Sequence, residues 1–283
     1  MDASPFISII MNCHNGGKFI NDAIMSVYKQ TYLNWEIILW DNASNDETPK
    51  IVSRYDNKLR YFRSENKDNL GKARIKAINK SRGEYLTFLD SDDIWYPNKL
   101  SQQINCIKKN KQISLIYTRA DIIDINKKKI GIFPIHSKLP SGKVFEDLAE
   151  ENFIPFVSVM ITKKVYEECK GFCPNLINAT DYDLFIKISL NHFVMGLDDV
   201  TCMYREHDTN LSKTTRVIGA KESLNIVNKY KSHLKTDKAI ISKKTSLAIA
   251  YIKELNFVSF IILIINNWLI LWYIFRRLLI KLS

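Results

Sequence analysis

Cysteine is scarce in this chain and forms no pattern. The 283 residues hold five, Cys13, Cys106, Cys169, Cys173 and Cys202; an odd, scattered set argues against a disulfide framework and fits a reducing compartment. Cys169 and Cys173 stand four apart with no second Cys or His pair at zinc-site spacing, so they read as buried thiols. Glycine-rich phosphate cradles are missing too. No Gly-x-Gly-x-x-Gly follows the first strand-like run and no Gly-Lys-Ser/Thr occurs, which argues against dinucleotide and P-loop chemistry. The first five residues carry an acid and no basic stretch, and the apolar run after them is short and broken by Asn12 and His14, so no secretory signal is expected. Negative charge is in deficit: 41 Lys+Arg against 30 Asp+Glu leaves a formal +11. That balance suits a phosphorylated small molecule, an acidic membrane surface or nucleic acid. Nucleic acid is the least expected, because the lysines carry no recognisable reading motif.

What is present is alternation within a chain long and apolar enough, at 46% hydrophobic residues, for one large α/β domain with an appendage. Residues 7–11 read as a strand closed by the turn Asn15-Gly16-Gly17. Phe19, Ala23, Ile24, Val27 and Tyr28 then recur at helical spacing. Residues 35–40 form the second strand, followed by the turn and cap residues 42–46 and a helix over 48–55; a short third strand covers 60–62. Asn69-Leu70-Gly71 opens a helix over 72–81, and 85–89 is the fourth strand. This order predicts a mostly parallel, Rossmann-like sheet with right-handed crossovers, in which ligands sit beyond the carboxyl ends of the strands. Residues 11–15, 41–42 and 90–93 fall at those ends and are expected to share one crevice.

The last of these, Asp90-Ser91-Asp92-Asp93, places three carboxylates directly after an apolar strand. Mutual repulsion makes such a cluster costly unless a cation sits there, and a divalent metal is the usual one. An acidic N-cap before a helix beginning near Pro97 is the competing reading, and it accounts for Asp93.

Several segments together resemble the family 2 glycosyltransferases of GT-A fold. They are the strand 7–11, the helix end Ser26-Val27-Tyr28-Lys29-Gln30-Thr31-Tyr32, the run from Trp35 through Asp41-Asn42-Ala43-Ser44 to Thr48, Asn69-Leu70-Gly71-Lys72-Ala73-Arg74, and Tyr85 through Asp93. Thr180-Asp181-Tyr182-Asp183-Leu184-Phe185 and the closing Tyr204-Arg205-Glu206-His207 extend the likeness over the first three quarters of the chain. The resemblance implies a metal-dependent, inverting transfer of a sugar from a nucleoside diphosphate, UDP being the expected nucleotide, to a glycan hydroxyl. Asp92 with Asp90 would hold Mn2+ or Mg2+ against the diphosphate, with His207 as a third ligand or a structural histidine. Asn12, His14, Asn15, Asp41, Lys72, Arg74 and Ser91 would line the donor site. At Asp41, capture of a uracil N–H competes with a simple Asx-turn; His14 either stacks on a base or is a satisfied loop histidine, and Lys72 competes with a solvated face. Asp181 would be the base that deprotonates the acceptor, with Asp183 as its rival. Two departures from the family stand out: Asn12-Cys13-His14-Asn15 in place of a Pro-x-Tyr-Asn-like run, and Thr180 in place of a Glu.

The composition changes after about residue 215, which divides the chain into a catalytic domain, 1–215, and a helical region, 216–283. That region is rich in lysine (Lys221, Lys229, Lys231, Lys235, Lys238) and ends in an uncharged run over 255–275 followed by Arg276, Arg277 and Lys281. The run is long enough to span a bilayer, but the cations beyond it oppose the positive-inside tendency. A helix lying in the plane of an anionic cytoplasmic membrane face, with Trp268, Trp272 and Tyr273 at the interface, avoids that conflict; packing on the domain or in a homo-oligomer is the alternative. The expected acceptor is a lipid-linked or cell-surface glycan. A sugar-nucleotide-binding relative without transfer activity and a membrane-tethered scaffold are the competing functions. Residues 131–155, with little periodicity, are expected to form an acceptor-side loop.

Overall fold

Strands that read as unbroken apolar runs, such as residues 7–11 and 35–40, are built to be covered on both faces. The structure, a computed structural model describing residues 4–265, 267 and 269–274, places them at the centre of a mixed sheet. Its strands are β1 (Ile7–Cys13), β2 (Trp35–Asp41), β3 (Leu59–Arg63), β4 (Tyr85–Phe88), β5 (Ile94–Trp95), β6 (Ile113–Ile123), β7 (Lys129–Phe133), β8 (Met160–Thr162) and β9 (Phe193–Arg205). The helices are α1 (Ile20–Tyr28), α2 (Thr48–Val52), α3 (Leu70–Ile78), α4 (Lys99–Lys109), α5 (Phe145–Glu150), α6 (Lys163–Glu168), α7 (Thr180–Asn191), α8 (Leu211–Thr214), α9 (Arg216–Lys229), α10 (Lys238–Lys253) and α11 (Phe257–Ile265).

The strand order is β3-β2-β1-β4-β8-β6-β9-β5, with β7 on the side of β6. The first four neighbours pair in parallel, as the alternation predicts. Beyond β4 the sheet is mixed: β8 runs antiparallel to β4 and β6, while β9 runs parallel to β6 and antiparallel to β5. Alternate residues feed two cores. Ile7, Ile9 and Met11 face the layer of α1 and α4, and Ile10 faces that of α3, α5 and α7. Ile226, Val227, Ala239 and Ile240, from α9 and α10, are buried in this second core.

Two expectations change here. Asp93 does not cap a helix near Pro97: β5 intervenes and α4 begins only at Lys99. Residues 131–155 are not one loop, because they include the end of β7 and all of α5. Among the described residues, no helix is long and apolar enough to cross a membrane. Of the C-terminal expectations, Asn266, Trp268 and 275–283, with Arg276, Arg277 and Lys281, lie outside the described residues. Within them, α11 is short and buries none of its side chains. All five cysteines are free.

Candidate active site

The carboxyl ends of β1, β2 and β4 converge as the parallel half of the sheet requires. Beyond β4, the short β5 pairs with β9 and carries residues 90–93 against residues 205–210. Arg205 holds this junction together. Its side chain is fully buried, and it donates from Nε to the Asp92 carbonyl at 2.7 Å and from Nη1 to the Ile125 carbonyl at 3.2 Å. It also reaches Asp22 at 3.3 Å and lies over the Phe19 ring. Asp93 is buried beneath and accepts the Arg205 N–H at 2.8 Å. Burial first, then the charges of Asp92 and Asp90, push its carboxyl well up. Asp93 is thus a structural acid of the β5–β9 junction.

Asp92 faces the crevice. Its Oδ2 lies 2.9 Å from Nε2 of His207 and 3.4 Å from Nδ2 of Asn210. The Thr209 hydroxyl sits 2.9 Å from the other ring nitrogen of His207 and can either donate or accept, so it supports either tautomer. Asp90 is half-buried at the floor of the crevice, beneath the loops that surround it. Burial pushes its carboxyl up to about 6, helped by the negative charges of Asp92 and Asp181 and opposed by Arg74. Among the described residues, no three His, Cys, Asp or Glu side chains are drawn together tightly enough to hold an ion unaided.

Arg74 links this corner to the next. Buried one turn into α3, it lies 3.9 Å above the Phe156 ring centroid and 5.4 Å from that of Phe172. Its guanidinium hydrogen-bonds the Thr180 hydroxyl and stands 3.5 Å from Asp90. Its two terminal nitrogens are thus turned to the protein's own groups. Thr180 leaves the guanidinium charge undivided for the carboxylates around it. Burial pushes the Asp181 carboxyl up, with Arg74 pulling the other way. Asp183, the rival, is buried in a 2.7 Å pair with Lys187, which also donates to the Gly171 carbonyl.

On the nucleotide side the expected residues divide. Asp41 is wholly buried: Oδ1 accepts the Ser44 N–H, three residues on, at 2.8 Å, and Oδ2 accepts the Tyr61 hydroxyl at 2.6 Å. These contacts hold the turn after β2. Asn15 sits at φ 56, and its Oδ1 accepts the Asn45 N–H at 2.9 Å, tying the β1–α1 loop to the β2–α2 loop. His14 is exposed and donates from Nδ1 to the Asn42 carbonyl at 2.9 Å, so its orientation is fixed while its outer face is open. Nδ2 of Asn12 is buried without a hydrogen-bond partner, and a buried orphan donor is costly unless something accepts from it. Ser91 packs against Gly16 and Cys13. Lys72 is exposed, and its backbone N–H is taken by the Asn69 cap at 2.9 Å. Asn210 has no role in the sequence reading, yet it reaches Asp92; its position as the cap of α8 is the only signal that singles it out.

Comparison with known proteins points the same way. The profile of glycosyl transferase family 2 matches residues 8–168. An uncharacterized glycosyltransferase of Rickettsia felis is 30% identical over 260 residues, covering 90% of this chain but only 43% of the relative. The chain thus spans less than half of that relative's length. The protein WfgD of Escherichia coli, named as a UDP-Glc:alpha-D-GlcNAc-diphosphoundecaprenol beta-1,3-glucosyltransferase, is 37% identical over 193 residues, 68% of this chain and 73% of its own length. Among solved structures, TarS of S. aureus in complex with UDP-GlcNAc superposes with a TM-score of 0.66 at 19% identity, covering 87% of this chain and 71% of TarS. The mannosyltransferase PcManGT of Pyrobaculum calidifontis, in complex with GDP-Man and Mn2+, gives 0.63 at 16%, covering 88% and 75%. At these identities the two structures establish the fold.

Proposed function

The chain belongs to glycosyl transferase family 2, and from that premise we propose that it moves a sugar from a UDP-type donor to a hydroxyl of a lipid-linked or cell-surface glycan, with inversion. The observation that carries this reading is the junction of two acidic corners by one buried cation: Arg74 stands beside Asp90 while hydrogen-bonding Thr180, the residue before Asp181. Leaving group and acceptor are thereby brought to neighbouring walls of one crevice. WfgD, whose name gives a UDP-linked donor and a diphosphoundecaprenol acceptor, supports both choices.

In this reading Asp92 and Asp90, with His207, would hold Mn2+ or Mg2+, which would supply Lewis-acid neutralisation of the diphosphate charge. Mn2+ in the mannosyltransferase complex supports that assignment. Asp181 takes the acceptor proton as its oxygen attacks, and a raised carboxyl pKa brings the acid nearer the value a general base needs. Arg74 acts as a fixed counter-charge between the two corners. His14, with its free ring face, and Asn12, with its unpaired donor, are the donor-side contacts; Asp41 and Asn15 shape the loops that carry them. The exposed apolar face of α11 rests on an anionic membrane, where a lipid-linked acceptor is found.

The test is nucleotide release from a panel of UDP-, GDP- and dTDP-sugars, with Mn2+ and with chelator. Metal-dependent release from one donor class is expected. Undiminished release in chelator would remove the metal assignment, and donor binding without release on any acceptor would favour a binding protein that has lost transfer.

A further inference from the structure

The N-terminus of α7, on which Asp181 stands, has no side-chain cap of its own: Ala179 occupies the cap position. An uncapped, partly buried helix start leaves backbone N–H groups without partners. Here a carboxylate from another helix takes the amides of the cap residue and of the two residues before it. Glu222, in the middle of α9, accepts the Ile177 N–H on Oε1 at 2.8 Å, and on Oε2 it accepts those of Asn178 and Ala179 at 2.9 and 2.8 Å. Three consecutive amides thus converge on one half-buried carboxylate. A second feature fixes the same contact. The Asn178 side chain donates to the Thr215 hydroxyl at 2.7 Å, and Gly219, one turn before Glu222, permits the approach, since a Cβ there would lie 2.6 Å from Asn178 Oδ1.

We propose that Glu222 is a positioning residue for Asp181, which makes α9 part of the transfer machinery; the inference rests on reading Asp181 as the base. Hydrogen bonds from N–H groups to an ionised carboxylate are the strong kind, and three of them lock the backbone two to four residues before Asp181. The direction of the Asp181 carboxylate follows from that backbone, and proton transfer depends steeply on where the acceptor oxygen meets it. The negative charge of Glu222 also complements the positive end of α7. Glu222 touches neither donor nor acceptor in this account. The sequence carries no mark of it, because the contact joins residues 43 to 45 positions apart.

The experiment compares Glu222→Ala, Glu222→Gln and Asp181→Asn in the full chain. It uses the nucleotide sugar that gives the fastest release in the panel above, and calorimetric titration with the matching nucleoside diphosphate and Mn2+. Glu222→Ala is expected to lower kcat roughly 10- to 100-fold, the scale of a small misplacement of a catalytic group, with donor KM and nucleotide affinity unchanged. Glu222→Gln, which keeps one acceptor oxygen, is expected to recover part of the loss. An unchanged kcat in Glu222→Ala while Asp181→Asn is inactive overturns the inference alone. Full activity in Asp181→Asn overturns the reading of the base beneath it. Loss of nucleotide affinity in parallel with kcat would mean that Glu222 merely holds the fold, and overturns it too. If Glu222→Ala does not fold, Gly219→Ala, which pushes α9 off Asn178 and keeps the carboxylate, is expected to give the same split between kcat and KM.

Discussion

Single residues in this protein do their work through what surrounds them, and Lys99 and Asp181 illustrate the two directions. Lys99 is fully buried, donating at 2.9 Å to both the Thr87 hydroxyl and Gln103 Oε1, 4.1 Å from the Trp95 ring centroid. Burial pulls its ammonium down from the ordinary 10.5 to about 8. Between those values the folded chain binds fewer protons than the unfolded one, so this group's contribution to stability rises with pH across that window and is unfavourable below it. Lys99→Met should therefore be neutral or stabilising by about 1–2 kcal/mol at pH 7, with the advantage shrinking towards pH 10. Urea unfolding at the two pH values checks this, and a variant less stable at pH 7 would refute it. Asp181→Asn should retain nucleotide binding while transfer falls ~100-fold or more, the scale of a general base; near-normal transfer would move the base elsewhere. The acids at the strand ends could be picked out from sequence because an apolar strand ending in carboxylates is chemically conspicuous. The contacts of Asp41 could not, since a turn and a base contact call for the same side chain at the same place, and its Tyr61 partner stands 20 positions away.

At the scale of elements, the alternation of strand and helix up to β4 follows from local pattern and right-handed crossover, and the structure has it. The mixed half escapes such reasoning. The two residues of β5 are too few to show a period, and β8, at three, is no better; their pairing is imposed by distant β6 and β9. The placement of α3 is likewise tertiary. Gly71, in its first turn, lies so close to the loop before α7 that a Cβ would collide with the Cys173 carbonyl, and its N–H donates to the Leu176 carbonyl at 3.3 Å. Gly71→Ala should cost about 1–3 kcal/mol, the range for inserting a methyl into a packed site. It should also reduce transfer, because Arg74 rides on the same helix. A variant of unaltered stability would show that this approach is not tight.

At the scale of the whole molecule, α11 turns its apolar side chains outward. Its Val258 and Ile265 are 71% and 75% exposed, and Ile261 stands on the same face at helical spacing. Replacing all three by Asp should leave transfer to a soluble acceptor intact and abolish sedimentation with vesicles containing anionic phospholipid. Sedimentation equal to that of the unaltered protein would end the membrane reading. The helical region after residue 215 is recognisable in the sequence from its lysines and its uncharged run, but its entry into the core through Ile226 and Ile240 is not, since burial of single positions leaves no periodic trace. Arg205 carries a consequence for the order in which the protein comes into being. It joins Asp22, 183 positions earlier, to Asp92 and Asp93. A chain leaving the ribosome acquires its acidic pocket early and the arginine that pins it to α1 and β9 late, so the first two hundred residues should emerge as a core with an unfinished mouth. Chains halted before residue 205 should show the parallel strands without a closed crevice, and the crevice should close only once Arg205 has emerged.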